Sequence, residues 1–279
     1  MMGTRHALAG VLAATVTAPL AALADPAPHP VLWVAGWVAG GMLPDFDHPN
    51  AHPSRVWGPV TQGMAWLVGR ASGGHRESTH DVVVAPVVTV VWTSLLIGGM
   101  GWLEGLHWSF GFVALVCLAL PFGVALRMAG GPFGNAVVNL PAAVGLALWL
   151  LASPGAVSWF PLILAGGIVV HILCDSVTSE GAPVPLVWIW DKGRGRKRQW
   201  GARLFPVGSL PEMSFSVVFP AVTVAVAAAY LASGVVAAPT PGLPDIGLVV
   251  PHIDRPGWEL VEDLGRWVEG LSRQAAGVR

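Results

Sequence analysis

The chain has 279 residues, of which 54% are hydrophobic and only 11% charged, with a mean hydropathy of +0.63. That apolar excess excludes an ordinary soluble domain and points to a membrane protein. A formal net charge of -1 lacks the broad basic surplus that phosphate backbones demand, so no direct nucleic-acid binding is expected. The two cysteines, Cys117 and Cys174, lie far apart in apolar runs, which excludes a disulfide framework and a cysteine zinc cluster.

The N-terminal "MMGTRHALAGVLAATVTAPLAALADP" has a basic start, an apolar middle and a small-residue site at Ala22 to Ala24. It reads either as a first span near 7 to 24 or as a cleaved signal peptide, and cleavage would remove His6. Further spans are expected near 82 to 103, 110 to 126, 136 to 152, 159 to 173 and 215 to 237, with a weaker one at 31 to 43. Several fall short of the roughly 20 residues that cross a bilayer. The expected fold is therefore all-α: a polytopic membrane helical bundle of about six to seven hydrophobic helices over residues 1 to 237. Residues 238 to 256 form a proline-rich linker. Beyond it, Leu260, Leu264, Trp267, Val268 and Leu271 recur at helical spacing within 257 to 279, an amphipathic helix suited to a membrane face.

Basic residues fix the expected orientation. Arg55, Arg70 and Arg76 lie in one loop; Lys192, Arg194, Arg196, Lys197, Arg198 and Arg203 lie in another. Both should be cytoplasmic, and the four spans between them return the chain to the same side. The basic run reads as an orientation determinant that also attracts anionic lipid headgroups. Trp102, Trp108 and Trp159 fall near the outer turns, and Trp188, Trp190 and Trp200 near the inner loop, as interfacial aromatics do.

On that cytoplasmic side four polar groups converge: His6; Asp45, Asp47 and His48 in "LPDFDHPNAHPS"; His75, Glu77, His80 and Asp81 in "GGHRESTHD"; and His171 with Asp175 in "HILCDS". Ionisable residues bordering spans usually face a cavity, a partner or a bound ion. His171 and Asp175, four apart, share one helix face. Pro44 and Pro49 oppose a continuous helix, and an extended stretch would turn Asp45 and Asp47 to one side. His75 and His80 are about 140° apart around a helix, so a loop or a helix start is needed to aim both at one ion. The run is not HExxH, and no PCxxC follows the HxE-like triplet, which removes the zincin and deaminase readings. His29, His52, His107 and His252 lack such partners and read as surface or interfacial residues.

In order, "TRHALAG", "GGMLPDFDHPNA", "GHRESTHD", "HILCDSVTSEGAPVPLVWIW" and "FPVGSLPE" resemble the YdjM-type, LexA-binding family of inner-membrane metal-dependent hydrolases, over roughly residues 4 to 213. The resemblance implies His6, Asp45, Asp47, His48, His75, His80, His171 and Asp175 as metal-site residues, and retention of the first span as an anchor. It also implies a remote relation to zinc-dependent phospholipase C and P1-type nucleases, which cut phosphoesters. Glu77 stands where the family has glycine and Asp81 where it has serine. These two carboxylates could alter metal number, orient the imidazoles or mark lost activity. Thr178 and Glu212 match family positions without an evident role.

The reading that follows is a membrane-bound hydrolase in the bacterial inner membrane, with its site facing the cytoplasm. One or two divalent ions, zinc first and manganese or iron otherwise, would activate water against a phosphoester or lipid-like substrate. Asp47, His75, His171 and Asp175 are the expected direct ligands, and Asp45 or Glu77 the general base. Membrane lipids are the expected surroundings. An ion or metal transporter is the main rival, though it would spread polar groups through the bilayer depth. A non-catalytic adaptor stapled by a metal is the other.

Overall fold

A computed structural model describes residues 3 to 23, 27 to 102, 108 to 186 and 199 to 233. The basic run at 192 to 198, the proline-rich linker, the C-terminal amphipathic helix, His107 and His252 lie outside the described residues, as do the side chains of Trp102, Trp108, Trp188 and Trp190. Nine α-helices make up most of what is described: α1 (Gly3–Val16), α2 (Ala18–Leu23), α3 (Pro30–Met42), α4 (Pro59–Ala71), α5 (Val84–Trp102), α6 (Trp108–Ala129), α7 (Ala136–Leu151), α8 (Pro154–Ser176) and α9 (Leu210–Ser233). One exception to the all-α expectation is a pair of two-residue strands, β1 (Ala182–Pro183) and β2 (Gln199–Trp200), paired antiparallel.

Among the described residues, three segments are long and apolar enough to cross a membrane: Gly111–Ala129, Val157–Ser176 and Leu210–Tyr230. Val84–Gly99 and Ala136–Leu151 are shorter apolar helices. The expected first span is broken at Thr17, because Pro19 has no N–H to continue the ladder and its ring crowds the carbonyl one turn back. The Thr17 hydroxyl donates to the Ala13 carbonyl at 2.6 Å at the break. The weak span at 31 to 43 is the 13-residue α3, only about 20 Å long and too short to cross the roughly 30 Å hydrocarbon layer alone. Instead it is a central helix, packed on α1, α6 and α8 with Leu32, Ala39 and Met42 buried.

Close approach of α3 to its neighbours depends on glycine. A Cβ on Gly40 would lie 2.3 Å from the Leu164 carbonyl oxygen, and one on Gly167 would lie 2.6 Å from that of Trp37. Helices in lipid gain little from apolar burial between themselves, so contact at backbone distance carries the association. Gly40→Ala should therefore push α3 off α8 and cost about 1–3 kcal/mol, read as a lower thermal midpoint in detergent. At the far end of α3, Trp33 packs near Trp37 and Trp159. α9 reaches the bundle chiefly through α1 and exposes Val217, Val218, Val222 and Val224, as a lipid-facing helix does.

Chain direction alternates so that the N-terminal ends of α1, α5 and α9 and the C-terminal ends of α3 and α8 meet at one end of the bundle. Loop 53 to 58 is tied there by buried Asn139 at the start of α7. Its carbonyl oxygen accepts from Trp57 Nε1, and its amide donates to the carbonyls of Gly123 and Phe133.

Candidate metal centre

All four polar groups singled out in the sequence reach that end. Asp45 and Asp47 lie on a 3-10 turn, Leu43–Asp47, directly continuing α3, rather than on the extended stretch expected. The Leu43 N–H still bonds the Ala39 carbonyl, and Pro44, at the start of the turn, keeps the coil going because its missing N–H costs nothing there. The two aspartates consequently serve neighbouring subsites. His75 and His80 lie on the expected non-helical loop, which ends in a 3-10 turn at Ser78–His80.

Three ligand groups form a row: His6, His171 and Asp175; Asp45, His80 and His171; Asp47, His75 and His80. Within each, one donor atom per residue lies within 4.8 Å of the others. At the centre, His171 Nε2 and His80 Nε2 are 3.3 Å apart. Asp45 Oδ1 lies 3.6 Å from His80 Nε2 and 3.8 Å from His171 Nε2, and Asp175 Oδ2 lies 3.8 and 3.7 Å from the same two atoms. Four ligands at about 2.0–2.1 Å from a tetrahedral ion stand about 3.3–3.4 Å apart, so these separations are close to those of a metal's donor set.

Neighbouring groups assign the imidazole tautomers. His171 Nδ1 is 2.7 Å from the Gly41 carbonyl, which can only accept, so Nδ1 carries the proton and Nε2 of the neutral ring a lone pair. The Thr79 hydroxyl spends its one proton on Asp47 Oδ2 and so accepts from His80 Nδ1, 3.1 Å away. His80 Nε2 is therefore also a lone pair. With both rings neutral, two lone pairs and two carboxylate oxygens face one another among buried groups, an arrangement that could hold a metal ion. His6 stacks on His171, with centroids 3.6 Å apart, and sets its Nε2 3.3 Å from Asp175 Oδ1. Its buried Nδ1 has no hydrogen-bond partner among the described residues.

Asp47 is differently engaged. One oxygen meets His75 Nδ1 at 2.6 Å, and the other accepts from Thr79 and from the Arg76 N–H. Burial opposes its ionisation, but the bond to His75 and the other partners hold its carboxyl below the usual range. The bond to Asp47 lifts the His75 imidazole above its ordinary value, against desolvation.

His48 is exposed and belongs to none of these groups. Its Nδ1 accepts from the Asn50 N–H, and its ring lies 5.3 Å from that of His75. Glu77 is half-buried and also outside the three groups. Its φ is -105°, outside the left-handed region that favours glycine. Asp81 is buried as the cap of α5, accepting from the N–H groups of Val83 and Val84 and from that of Leu186 at 2.6 Å. Asp81→Ala should cost about 0.5–2 kcal/mol in stability while leaving metal content, measured by elemental analysis, unchanged.

Sequence reasoning assigned Arg76 only an orienting role and Thr79 none. Arg76 has a left-handed φ of 61°, strained for a non-glycine residue and typical of functional loops. Its guanidinium lies 3.5 Å from Asp175 Oδ2 and pairs with Glu180, and its buried Nε is without a hydrogen-bond partner among the described residues. Only the residue types in "HRESTH" could have signalled either role. The surface assignment of His29 and His52 agrees with their exposure. His29 caps α3 by accepting from the Val31 N–H.

Fold and site together define a helical membrane protein with a buried histidine and aspartate cluster at one end of its bundle. Residues 1–129 match the family model described as YdjM inner membrane protein, the family that the motifs resemble. That match spans His6, Asp45, Asp47, His48, His75 and His80 but stops before His171 and Asp175. No curated protein and no solved structure matches the chain.

Proposed function

We propose that the protein is a membrane-bound, metal-dependent hydrolase of a phosphoester, its multi-pass bundle holding the site at the cytoplasmic face of the inner membrane. The observation that carries the reading is the facing pair of Nε2 lone pairs on His80 and His171, 3.3 Å apart and flanked by Asp45 and Asp175. Imidazole and carboxylate donors suit zinc first, then manganese or iron. His80, His171, Asp45 and Asp175 would hold one ion, and each end of the row offers donors for a second, His6 beside Asp175 at one end or His75 beside Asp47 at the other. Asp47 stands behind His75 and fixes its ring, a role that orienting carboxylates commonly fill. When bound, a divalent cation supplies a water of lowered pKa, toward ~7, and polarises a phosphoryl oxygen.

The chain's own residues do the rest. Asp45 is the most accessible carboxylate of the cluster, with its side chain 16% exposed against 0% for Asp47 and Asp175, and its second oxygen takes the proton of the attacking water. Glu77, on the neighbouring loop, is the other candidate base. Arg76, with an unshared Nε donor beside the cluster, favours a phosphoryl over an acyl group because guanidinium matches its oxygens. The water oxygen bonds phosphorus, the ester P–O bond breaks, and the proton held on Asp45 passes to the departing alcohol.

Orientation rests on Arg55, Arg70 and Arg76, which lie in the segment joining α3 to α5 at the site end. Transport is disfavoured because, among the described residues, the buried ionisable side chains gather at that end and leave the bilayer depth without a polar path. The test is elemental analysis of detergent-purified protein after metal-replete expression, paired with a phosphodiester cleavage screen. One or two zinc ions per chain are expected, with cleavage lost to a chelator and restored by zinc. Absence of stoichiometric zinc, manganese or iron sinks the proposal, and metal without cleavage favours the adaptor.

A further inference from the structure

A cavity of about 570 Å³ lies between α4, α5, α6 and α8, within the range of about 300–1,000 Å³ that holds small ligands. Its floor is apolar, with Leu118 on α6 and Phe160, Leu164 and Ile168 on α8. Its mouth opens sideways between α4 and α5, where Val68, Val88 and Trp92 are both wall and exposed surface. Exposed Trp66 and Leu67 continue this apolar edge on α4, and Val87, Val91 and Leu95 continue it on α5. Such an apolar mouth suits acyl chains better than water. Apart from Thr89 and Thr93 on α5, the polar side chains of the wall, Ser72, Ser78 and Thr79, come from the loop that carries the metal cluster.

The link between cavity and cluster is direct. Pro44 and Phe46 line the cavity while Asp45 and Asp47, alternating with them on the same 3-10 turn, belong to the cluster. Thr79 lines the cavity and bonds both Asp47 and His80. On one side of a single turn lies hydrocarbon-lined space, and on the other the histidine and aspartate cluster with Arg76 beside it.

We propose that this cavity holds the hydrocarbon chain of a membrane lipid whose phosphoester head lies on the histidine and aspartate cluster, the molecule entering laterally between α4 and α5. The proposal rests on the hydrolase reading for the head but not for the chain.

Two measurements separate the two. In the first, wild-type protein in nanodiscs is photolysed with a phospholipid bearing a diazirine at the end of one acyl chain. Adducts are expected on Leu118 or Leu164, which are each 1% exposed, and adducts confined to the outward Val87, Val91 and Leu95 overturn the proposal. In the second, zinc-loaded protein is offered monomeric p-nitrophenyl alkyl phosphates from ethyl to octyl. A chain leaving water gains about fourfold in kcat/KM per buried methylene, and Thr89→Trp should flatten that slope while sparing the ethyl ester. Cleavage with no chain-length slope, together with outward adducts, overturns the lipid proposal and leaves the hydrolase. Inner adducts without cleavage of any ester overturn the hydrolase and the placement of the head, and leave the chain site.

Discussion

His171→Ala is expected to lower zinc affinity by more than about 100-fold, the upper end of what losing even a partner behind a ligand costs, and to abolish hydrolysis. The effect should be large because His171 belongs to two of the three ligand groups, and its ring is oriented by a backbone carbonyl that no substitution elsewhere can replace. His80→Ala should match it. Thr79→Val supplies the finer test: it removes the acceptor for His80 Nδ1 without removing a ligand, and should cost about 10–100-fold in zinc affinity. His29→Ala, on an exposed residue remote from the cluster, should change nothing. Titration of metal-free protein with zinc against a competing chelator reads all four. Unchanged affinity in both His171→Ala and His80→Ala would remove the site.

The largest stability effect is expected at the other buried charge. Arg5 Nη1 donates to Glu212 Oε1 at 2.9 Å, with the side chains 8% and 0% exposed. The Arg5 Nε reaches the Ser216 hydroxyl at 3.3 Å, and Glu212 also accepts from the Gly208 N–H. Glu212→Ala leaves a guanidinium buried without its counter-charge, which costs about 3–5 kcal/mol. The double replacement Arg5→Met with Glu212→Leu should recover most of it, because an apolar pair of similar size needs no compensation there. Thermal midpoints in one detergent, measured across this cycle, check the claim, and equal loss in single and double variants would refute it. Glu212, whose family position carried no evident role in the sequence, is thus the staple between α9 and α1. Since Arg5 precedes His6, that staple also steadies one end of the ligand row.

Much of this was legible beforehand because it depends on local chemistry. Apolar runs between prolines and glycines marked α5 to α9, and the polar residues at their ends named seven of the eight expected ligands that meet in the cluster, His48 being the exception. His171 and Asp175 share a face by helix geometry alone. The break at Thr17 was legible too, in Pro19, but was outweighed by hydropathy. α3 was read as a weak span because apolarity does not distinguish a helix buried against protein from one bathed in lipid. Its glycines, which meet backbone atoms of α8 and α1, make that distinction only once the partners are known.

What the sequence determined alone is the membrane class, the kinds of donor and their gathering at one end of a bundle, since hydropathy and side-chain chemistry are properties of the residues themselves. Tertiary structure decided which carboxylate backs His75 and which faces Nε2 of His80 and His171, through the Thr79 hydroxyl shared by Asp47 and His80. It also fixed the His171 tautomer through the Gly41 carbonyl, 130 positions away, and it opened the apolar cavity beside the same turn. Those outcomes depend on distances between segments remote in the chain, and nothing in residue type or spacing encodes them.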